Sequence, residues 1–506
     1  MKTSPGKIHF RRNTQNIPAR IPGAVQSATK RFLALRDAAV NEYGAEHWQE
    51  LRQIGHDLRL HTLEHLDTYL EVLEKNVESA GGQVQWARTA EEARNIVREI
   101  AQRRNVRRVV KAKSMATEEI GLNKDLQSAG ISVLETDLGE FIVQLAGDSP
   151  SHITGPALHL RKEDIAELFH ARLGVVAPPD AEQLSRIAAA RLRHEFLVAD
   201  MGISGGNFLV ADTGTLVLVT NEGNGRMCAT LPPVYVAVVG IEKIIPDWQS
   251  LAVMLTLLPR NATGQKMTAY ISLIGGVNAA STEDGATEFH LVLLDNGRSE
   301  ILRHRILRET LLCIRCGACL NICPVYNNVG GHVYGWVYSG PIGAILTPQL
   351  LGLRKAGELP FASTLCGACN DICPVKIPIT EILLCLRQRA LESATGAIGS
   401  QQTMLRLGAQ ATALALASSR LYGWGAQALR VIQLPFLRNG WLPRLPPPLN
   451  RWTNSRPLPA FRTDFRKWWR HRNHGSSKTW RTRARSIVNK ADQAASALRA
   501  LYRRRT

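Results

Sequence analysis

The spacing of hydrophobic positions changes character along the chain. Between Ala24 and about Glu78, Leu33, Leu35, Leu51, Ile54, Leu58, Leu63 and Leu70 recur mostly at helical steps, with charges between them. That period predicts helix. An alternating pattern follows. Val84–Trp86 reads as strand, Ala90–Arg104 as amphipathic helix, Val106–Lys111 as strand, Glu118–Ser128 as helix and Ile131–Leu134 as strand. Strands alternating with helices of this length predict a mostly parallel α/β sheet. Phe208–Ala211, Thr215–Thr220, Val234–Gly240, Met267–Ile274 and Glu288–Leu294 read as further buried strands. Glycine-rich turns separate several of them, at Gly202–Gly206, Gly223–Gly225 and Gly275–Gly276, and Asp295-Asn296-Gly297-Arg298 is a turn that closes the domain.

From Ile301 the strand signals fade and short helical pieces flank a group of cysteines. Past Leu383 the pattern is mainly helical to Leu434. Pro435–Pro459 is proline-rich and reads as extended chain laid over a surface. Trp480–Arg505 reads as a basic amphipathic helix. A chain of 506 residues is too long for one core, so several domains are expected.

Composition adds two points. Hydrophobic residues are 45% and charged residues 21%, as in soluble globular proteins. The basic N-terminus lacks the apolar centre of a secretory signal. No stretch reaches the roughly 18 apolar residues that span a bilayer, and the longest, Ala409–Ser418, is short and alanine-rich. A cytoplasmic location is the expectation. The net charge of +19 is concentrated in a tail: from Arg451 onward 16 Lys and Arg face two acids, Asp464 and Asp492. Phe461, Phe465, Trp468, Trp469 and Trp480 are interleaved there. Such a tail suits a subunit-docking arm first. A membrane interface or nucleic acid are the other candidates, with nucleic acid the less favoured partner.

The second point is cysteine. Seven of nine fall between Cys313 and Cys373. In a long chain without a secretory signal, clustered thiols read as metal ligands rather than disulfides. The first motif, Cys313-x2-Cys316-x2-Cys319-x3-Cys323-Pro324, is the full run of two-cluster bacterial ferredoxins. Three thiolates on a tight loop reach one cubane, and the fourth is carried away to the other. Gly317 lets the backbone wrap closely. The second motif, Cys366-x2-Cys369-x3-Cys373-Pro374, repeats it with Ser363 where the first cysteine would stand.

Interleaved ligation assigns Cys313, Cys316, Cys319 and Cys373 to one 4Fe–4S cluster and Cys323, Cys366 and Cys369 to a second. The remaining iron of the second would take Ser363, Cys385, water or a substrate, and a three-iron form stays open. Cys385 reads more simply as a packed helix thiol, and Cys228 as a buried structural one. A four-cysteine zinc site fits the run poorly. Iron–sulfur clusters exchange single electrons and carry no hydride, and the chain shows no flavin or nicotinamide fingerprint. It reads as an electron-transfer subunit rather than the catalyst itself.

The ferredoxin motif followed by Gly330-Gly331-His332-Val-Tyr334-Gly335-Trp336-Val-Tyr338-Ser-Gly340-Pro341-Ile-Gly343 resembles the lactate-utilisation protein B family. The blocks Lys113–Gly121, Glu135–Glu140, Gly202–Asn224, Val238–Pro246 and Phe465–Trp469 carry the same resemblance, which runs from near residue 20 to near 475. It implies an α/β LUD domain akin to the ribose-5-phosphate isomerase and CoA-transferase group, then an α-helical ferredoxin domain and a mostly helical, basic C-terminal region. The divisions expected are 1–70 (helical), 71–300 (LUD), 301–395 (two 4Fe–4S clusters) and 396–506 (helical, proline-rich and basic). It also implies oxidation of L-lactate to pyruvate with two partners, a cysteine-rich protein and a smaller LUD protein. Respiratory-chain contact at the inner face of the membrane would accompany that role. Two alternatives remain open: electron transfer for another 2-hydroxy acid such as glycolate, or a redox-sensing regulator whose basic tail binds nucleic acid.

Other residues carry weaker signals. The Gly202–Thr220 block could cradle an anion, with Asp212, Glu242 and Lys243 the first polar residues to test, but a tight turn explains it equally. His332, Tyr334 and Trp336 could pack over the clusters. No Ser–His–Asp set, paired acids or metal-binding histidine pair stands out.

Overall fold

The computed structural model describes residues 6–277, 285–393, 400–445, 450–453, 456–461 and 469. Residues 1–395 and 396–506 form two compact units.

In the first unit, the stretch read as helix from Ala24 is three helices, Arg20–Tyr43, Ala45–Glu64 and Leu66–Ser79. Gly44 breaks the first pair with φ +94°, a conformation that favours glycine. The apolar period marked only part of the buried face: Leu63 and Leu70 are buried. Leu35 and Ile54 are 44% and 51% exposed, whereas Trp48, Arg52, Gly55, Arg59, Thr62 and Leu63 point inward.

The sheet expected from the alternating pattern has six parallel strands: β1 (Gln83–Ala87), β2 (Arg108–Lys111), β3 (Ser132–Glu135), β4 (Met201–Ser204), β7 (Val234–Gly240) and β10 (Glu288–Leu294). Their order is β1-β10-β7-β4-β2-β3. Alternate residues of β7 feed two cores. Val234, Val236 and Val238 pack with Val97, Ile100, Leu122 and Leu126. Tyr235, Ala237 and Val239 pack with Leu66, Leu70, Leu73 and Val77. Each such buried aliphatic side chain stabilises the fold by about 1.5–3 kcal/mol.

The remaining strands leave this sheet. β5 (Phe208–Val210), β6 (Thr215–Thr220), β8 (Ile244–Ile245) and β9 (Tyr270–Ile274) form a mixed sheet in the order β8-β5-β6-β9. The link from β4 to β5 is Gly205-Gly206-Asn207, too short for the crossover that a parallel neighbour requires. β9, expected to be buried, is an edge strand with Tyr270 and Leu273 exposed.

β4 occupies the start of the stretch expected to be the Gly202–Gly206 turn. Gly202 lies inside the strand, where a Cβ would stand 1.8 Å from the Cys228 carbonyl oxygen. The residue permits close backbone approach and opens no turn. Gly121, with φ +67°, likewise splits the expected Glu118–Ser128 helix into Met115–Glu119 and Leu122–Ser128. The helices Leu138–Ala146, Lys162–Leu173 and Ala181–Leu197 were not anticipated. They bury Phe141, Phe169, Leu184, Leu192 and Phe196 in a core with Val110 and Cys228.

The cysteine-bearing segment is built of short helices, among them Ala318–Ile322, Pro324–Val329, Gly340–Leu351, Ala368–Ile372 and Ile379–Ser393. They share one core with the N-terminal helices and the helix Trp248–Ala262, through Trp48, Met254, Leu257, Leu311, Ile345 and Leu383.

The second unit holds helices Ser400–Ala417 and Ser419–Ile432, the latter capped by Ser418 Oγ accepting from Leu421 N. Trp441–Leu442 pairs antiparallel with Leu458–Pro459. The helix expected over Trp480–Arg505 lies outside the described residues, as does most of the basic tail. Among the described residues, no helix is long and apolar enough to cross a membrane.

Candidate metal centre

The two cysteine loops are near copies. Gly317 and Gly367 have φ +78° and +85°, and each starts a one-turn helix, Ala318–Ile322 and Ala368–Ile372. Each helix ends in an extended cysteine, Cys323 at φ −74°, ψ 119° and Cys373 at φ −63°, ψ 123°. Arg315 and Leu365 both take positive φ, at 61° and 55°. The correspondence extends to Ser363. Its Oγ accepts from Leu365 N at 3.1 Å, as Cys313 Sγ accepts from Arg315 N at 3.4 Å.

The fold brings thiols from the two loops together. A cavity is lined by Cys313, Cys316, Cys319 and Cys373, walled by apolar side chains including Ile314, Ile342 and Val375. Burial, then Cys373 and Cys313 among other groups, raises the Cys316 thiol. Burial and the sulfurs of Cys313, Cys316, Cys369 and Cys373 push Cys319 far up. In the other set, burial followed by Cys323 and Cys366 lifts Cys369 to about 12. Cys373 is raised to about 11, mainly by burial. Buried thiols that raise one another in this way become thiolates when cations neutralise them, as iron does.

A second observation fits the same cofactor. The Tyr334 hydroxyl is fully buried and has no hydrogen-bond partner among the described residues. It neighbours Cys323 and Cys319 electrostatically, where an inorganic sulfur or a thiolate would accept its proton. Cys366 is exposed and Ser363 half-buried, so the second loop is the more open of the two. Cys385, on the helix Ile379–Ser393, is half-buried in the shared core. Cys228 is buried with Thr136 Oγ1 3.5 Å from its sulfur, and burial lifts it to about 12.

Two arginines that the hydrophobic period overlooked hold the loops. Arg52 donates to the Cys373 carbonyl from Nε at 2.9 Å and Nη2 at 2.7 Å. Arg59 is fully buried and donates to the carbonyls of Ile244 at 2.8 Å, Leu311 at 3.0 Å, Leu312 at 3.4 Å and Glu242. It joins the end of the sheet region to the residues just before Cys313. Burial depresses it to about 10, with Glu242 acting against the shift.

Glu242 and Lys243 lie in this seam and not beside the glycines of β4. Arg298 Nε donates to Glu242 at 2.6 Å, and its Nη1 and Nη2 each reach Glu119 at 2.9 Å. The Tyr338 hydroxyl donates to Glu119 at 2.6 Å. Arg315 lies 4.8 Å over the Tyr338 ring and 3.4 Å from Glu242, closing the circuit. Burial alone would raise Glu242, but Arg298, Lys243 and Arg315 hold it at about 2. Lys243 donates to the Cys313 carbonyl at 3.3 Å. Burial and Arg315 bring it down to about 7.

Asp212 is exposed, and its carbonyl accepts from Asn76 Nδ2. It takes no part in the site. Gly205 and Gly206 are also explained by packing, against Ser114 and Leu216. Trp336 is half-buried and edge-on to Tyr338, and His332 turns away toward Asp148 and His159.

A parallel sheet with helices, continued into paired ferredoxin-type cysteine loops, defines an α/β protein with a thiol-rich module suited to iron–sulfur clusters. The LUD domain family matches residues 70–294, and the 4Fe-4S dicluster domain family matches residues 309–377. The chain is 46% identical to Lactate utilization protein B of Shouchella clausii, over 89% of this chain and 93% of that protein. It is 45% identical to the Bacillus subtilis protein of that name, with the same coverage. A Geobacillus sp. relative is 44% identical over 94% of this chain and 100% of its own length. The chain belongs to the lactate utilization protein B family.

Proposed function

We propose that this chain is an iron–sulfur subunit of lactate utilization that carries electrons away from L-lactate as it is oxidised to pyruvate. The observation that carries the reading is the gathering of Cys313, Cys316, Cys319 and Cys373, from two loops, around one apolar-walled cavity. These four would hold one 4Fe–4S cluster. Cys323, Cys366 and Cys369 would hold a second, with Ser363 in the place of a fourth ligand. Such clusters, when bound, supply one-electron exchange over potentials set by charge, hydrogen bonds and exposure.

The chain's own residues do the rest. Ile314, Ile342 and Val375 keep water from the first set of thiols. Arg52 and Arg59 fix the main chain at Cys373 and ahead of Cys313. Arg315 sets positive charge beside Cys313 and Lys243 donates to the Cys313 carbonyl, and Tyr334 offers a hydroxyl between the two sets. Oxidation of lactate also moves a hydride or its equivalent, which iron–sulfur clusters do not carry, so we place the lactate-binding site and the electron acceptor on partners. We assign these to a cysteine-rich protein and a smaller LUD protein, working at the inner face of the membrane.

The six-stranded parallel sheet with a small second sheet supports reading 71–300 as a ribose-5-phosphate isomerase/CoA-transferase-like fold. The 4Fe-4S dicluster match within 301–395 supports the ferredoxin boundaries.

The test is anaerobic purification of the chain with its partners. About eight irons per chain are expected, with bleaching of the cluster absorbance on adding L-lactate. Bleaching by glycolate and not by L-lactate would reassign the substrate. Stoichiometric zinc in place of iron would remove the cluster assignment.

A further inference from the structure

The segment between the two cysteine motifs carries a histidine that the electron-transfer reading leaves unused. His332 meets Asp148 and His159 from the loop that follows helix Leu138–Ala146. Asp148 Oδ2 stands 3.3 Å from His159 Nε2, and Asp148 Oδ1 stands 3.7 Å from His332 Nε2. The two imidazole rings are 4.5 Å apart, edge to face. The three candidate donor atoms all lie within 4.8 Å of one another.

We propose that Asp148, His159 and His332 form a binding site for one divalent transition-metal ion of the zinc class, joining the sheet region to the segment between the cysteine loops. The geometry around His159 carries the argument. Ser151 Oγ donates to the Pro156 carbonyl at 3.0 Å, so it accepts from His159 Nδ1 at 2.8 Å. With the hydroxyl proton on that carbonyl, the ring carries its proton on Nδ1 and its lone pair on Nε2. His159 is 5% exposed, and its Nε2 has no hydrogen-bond partner among the described residues. In that tautomer the Nε2 lone pair faces a carboxylate oxygen at 3.3 Å, an arrangement that a cation held by both would satisfy.

The surroundings are built for the meeting. Gly331 carries its backbone against Ser151, where a Cβ would be 1.7 Å from the Ser151 carbonyl oxygen. The same carbonyl accepts from Tyr326 OH at 2.7 Å and Ser339 Oγ at 3.3 Å. These contacts fix the loop on the cysteine segment and aim His332 at Asp148. His332 Nε2 also donates to the Ser149 carbonyl at 2.7 Å. On metal binding the ring proton moves to Nδ1, which frees the Nε2 lone pair and leaves the carbonyl as an available oxygen donor. Two imidazoles and a carboxylate, with the Asp148 side chain 44% exposed, match zinc's preference for three protein ligands and one open position.

The test uses the full-length, cluster-loaded chain, in which iron already occupies the cysteines. It is equilibrated anaerobically with Zn²⁺, freed of excess by gel filtration, and read by metal analysis and zinc K-edge X-ray absorption. One zinc per chain is expected, with a nitrogen and oxygen shell at about 2.0–2.1 Å. Asp148→Asn and His159→Gln lose the zinc and keep their iron. Ser151→Ala, which unseats His159, weakens zinc binding about 10–100-fold. Asp148→Asn alters a half-exposed side chain, so it decides the question if a histidine variant misfolds. The proposal is overturned if the wild-type chain retains no zinc, if sulfur fills the zinc shell, or if Asp148→Asn binds zinc as the wild type does.

Discussion

Arg52 donates two hydrogen bonds to the carbonyl of Cys373, at 2.9 and 2.7 Å, from a helix more than three hundred residues earlier in the chain. Seven residues on, Arg59 makes the matching connection to Leu311 and Leu312, just ahead of Cys313. One helix face therefore grips both ends of the thiol group that lines the cavity. Arg52→Leu is expected to destabilise the chain by about 3 kcal/mol, since it strands a buried carbonyl. Arg59→Met strands four and should cost on the order of 3–5 kcal/mol. Thermal unfolding with iron analysis checks both. Wild-type iron retention and melting temperature in Arg59→Met would contradict this role.

Ser363 occupies the place that Cys313 holds in the other loop, with the same main-chain N–H bond two residues on. Arg387 Nη2 fixes its carbonyl at 2.9 Å. Ser363→Cys should therefore be accepted without change of fold and give the exposed second loop a fourth thiol. Slower iron loss in air is the expected outcome, followed by absorbance and iron titration. Identical decay of variant and wild type would show that Ser363 does not face that cluster.

Glu140 is a buried acid beside Glu135, Lys111 and Glu118, and burial followed by Glu135 raises it to about 8. The folded chain holds this proton more tightly than the unfolded chain. Its contribution to stability is complete below about pH 4.5 and is lost as pH rises through about 8. Glu140→Gln cannot ionise. Its stability relative to wild type should improve by on the order of 1–4 kcal/mol between pH 5 and pH 8.5. Calorimetric melting of both proteins at the two pH values measures this. A gap that does not change with pH would rule it out.

Gly202 faces main chain at a distance no side chain tolerates, 1.8 Å from an ideal Cβ to the Cys228 oxygen. Gly202→Ala should cost about 3 kcal/mol or more, because two backbones must separate. Gly130→Ala, where nothing lies within 4 Å but φ is +81°, should cost less. Equal melting temperatures for the two variants would argue against close strand–helix packing at β4.

Much of the local structure was legible from the chain itself. Cysteine spacing with Gly317 and Gly367 specifies two similar ligand loops, because a tight turn of positive φ is needed wherever closely spaced thiols face one centre. Continuous apolar runs announced β7 and β10, since strands buried on both faces have no polar side to show. Other features needed the folded chain. Arg52 and Arg59 sit on a buried face where an apolar period predicts leucines, and only the carbonyls of distant segments make them stable there. The short link after β4 sends four strands into a second sheet, which strand patterns alone do not distinguish. His159 and His332 become neighbours through Gly331 and Ser151. Local sequence fixes backbone angles and the period of burial. Which loop meets which is decided by packing between segments far apart in the chain.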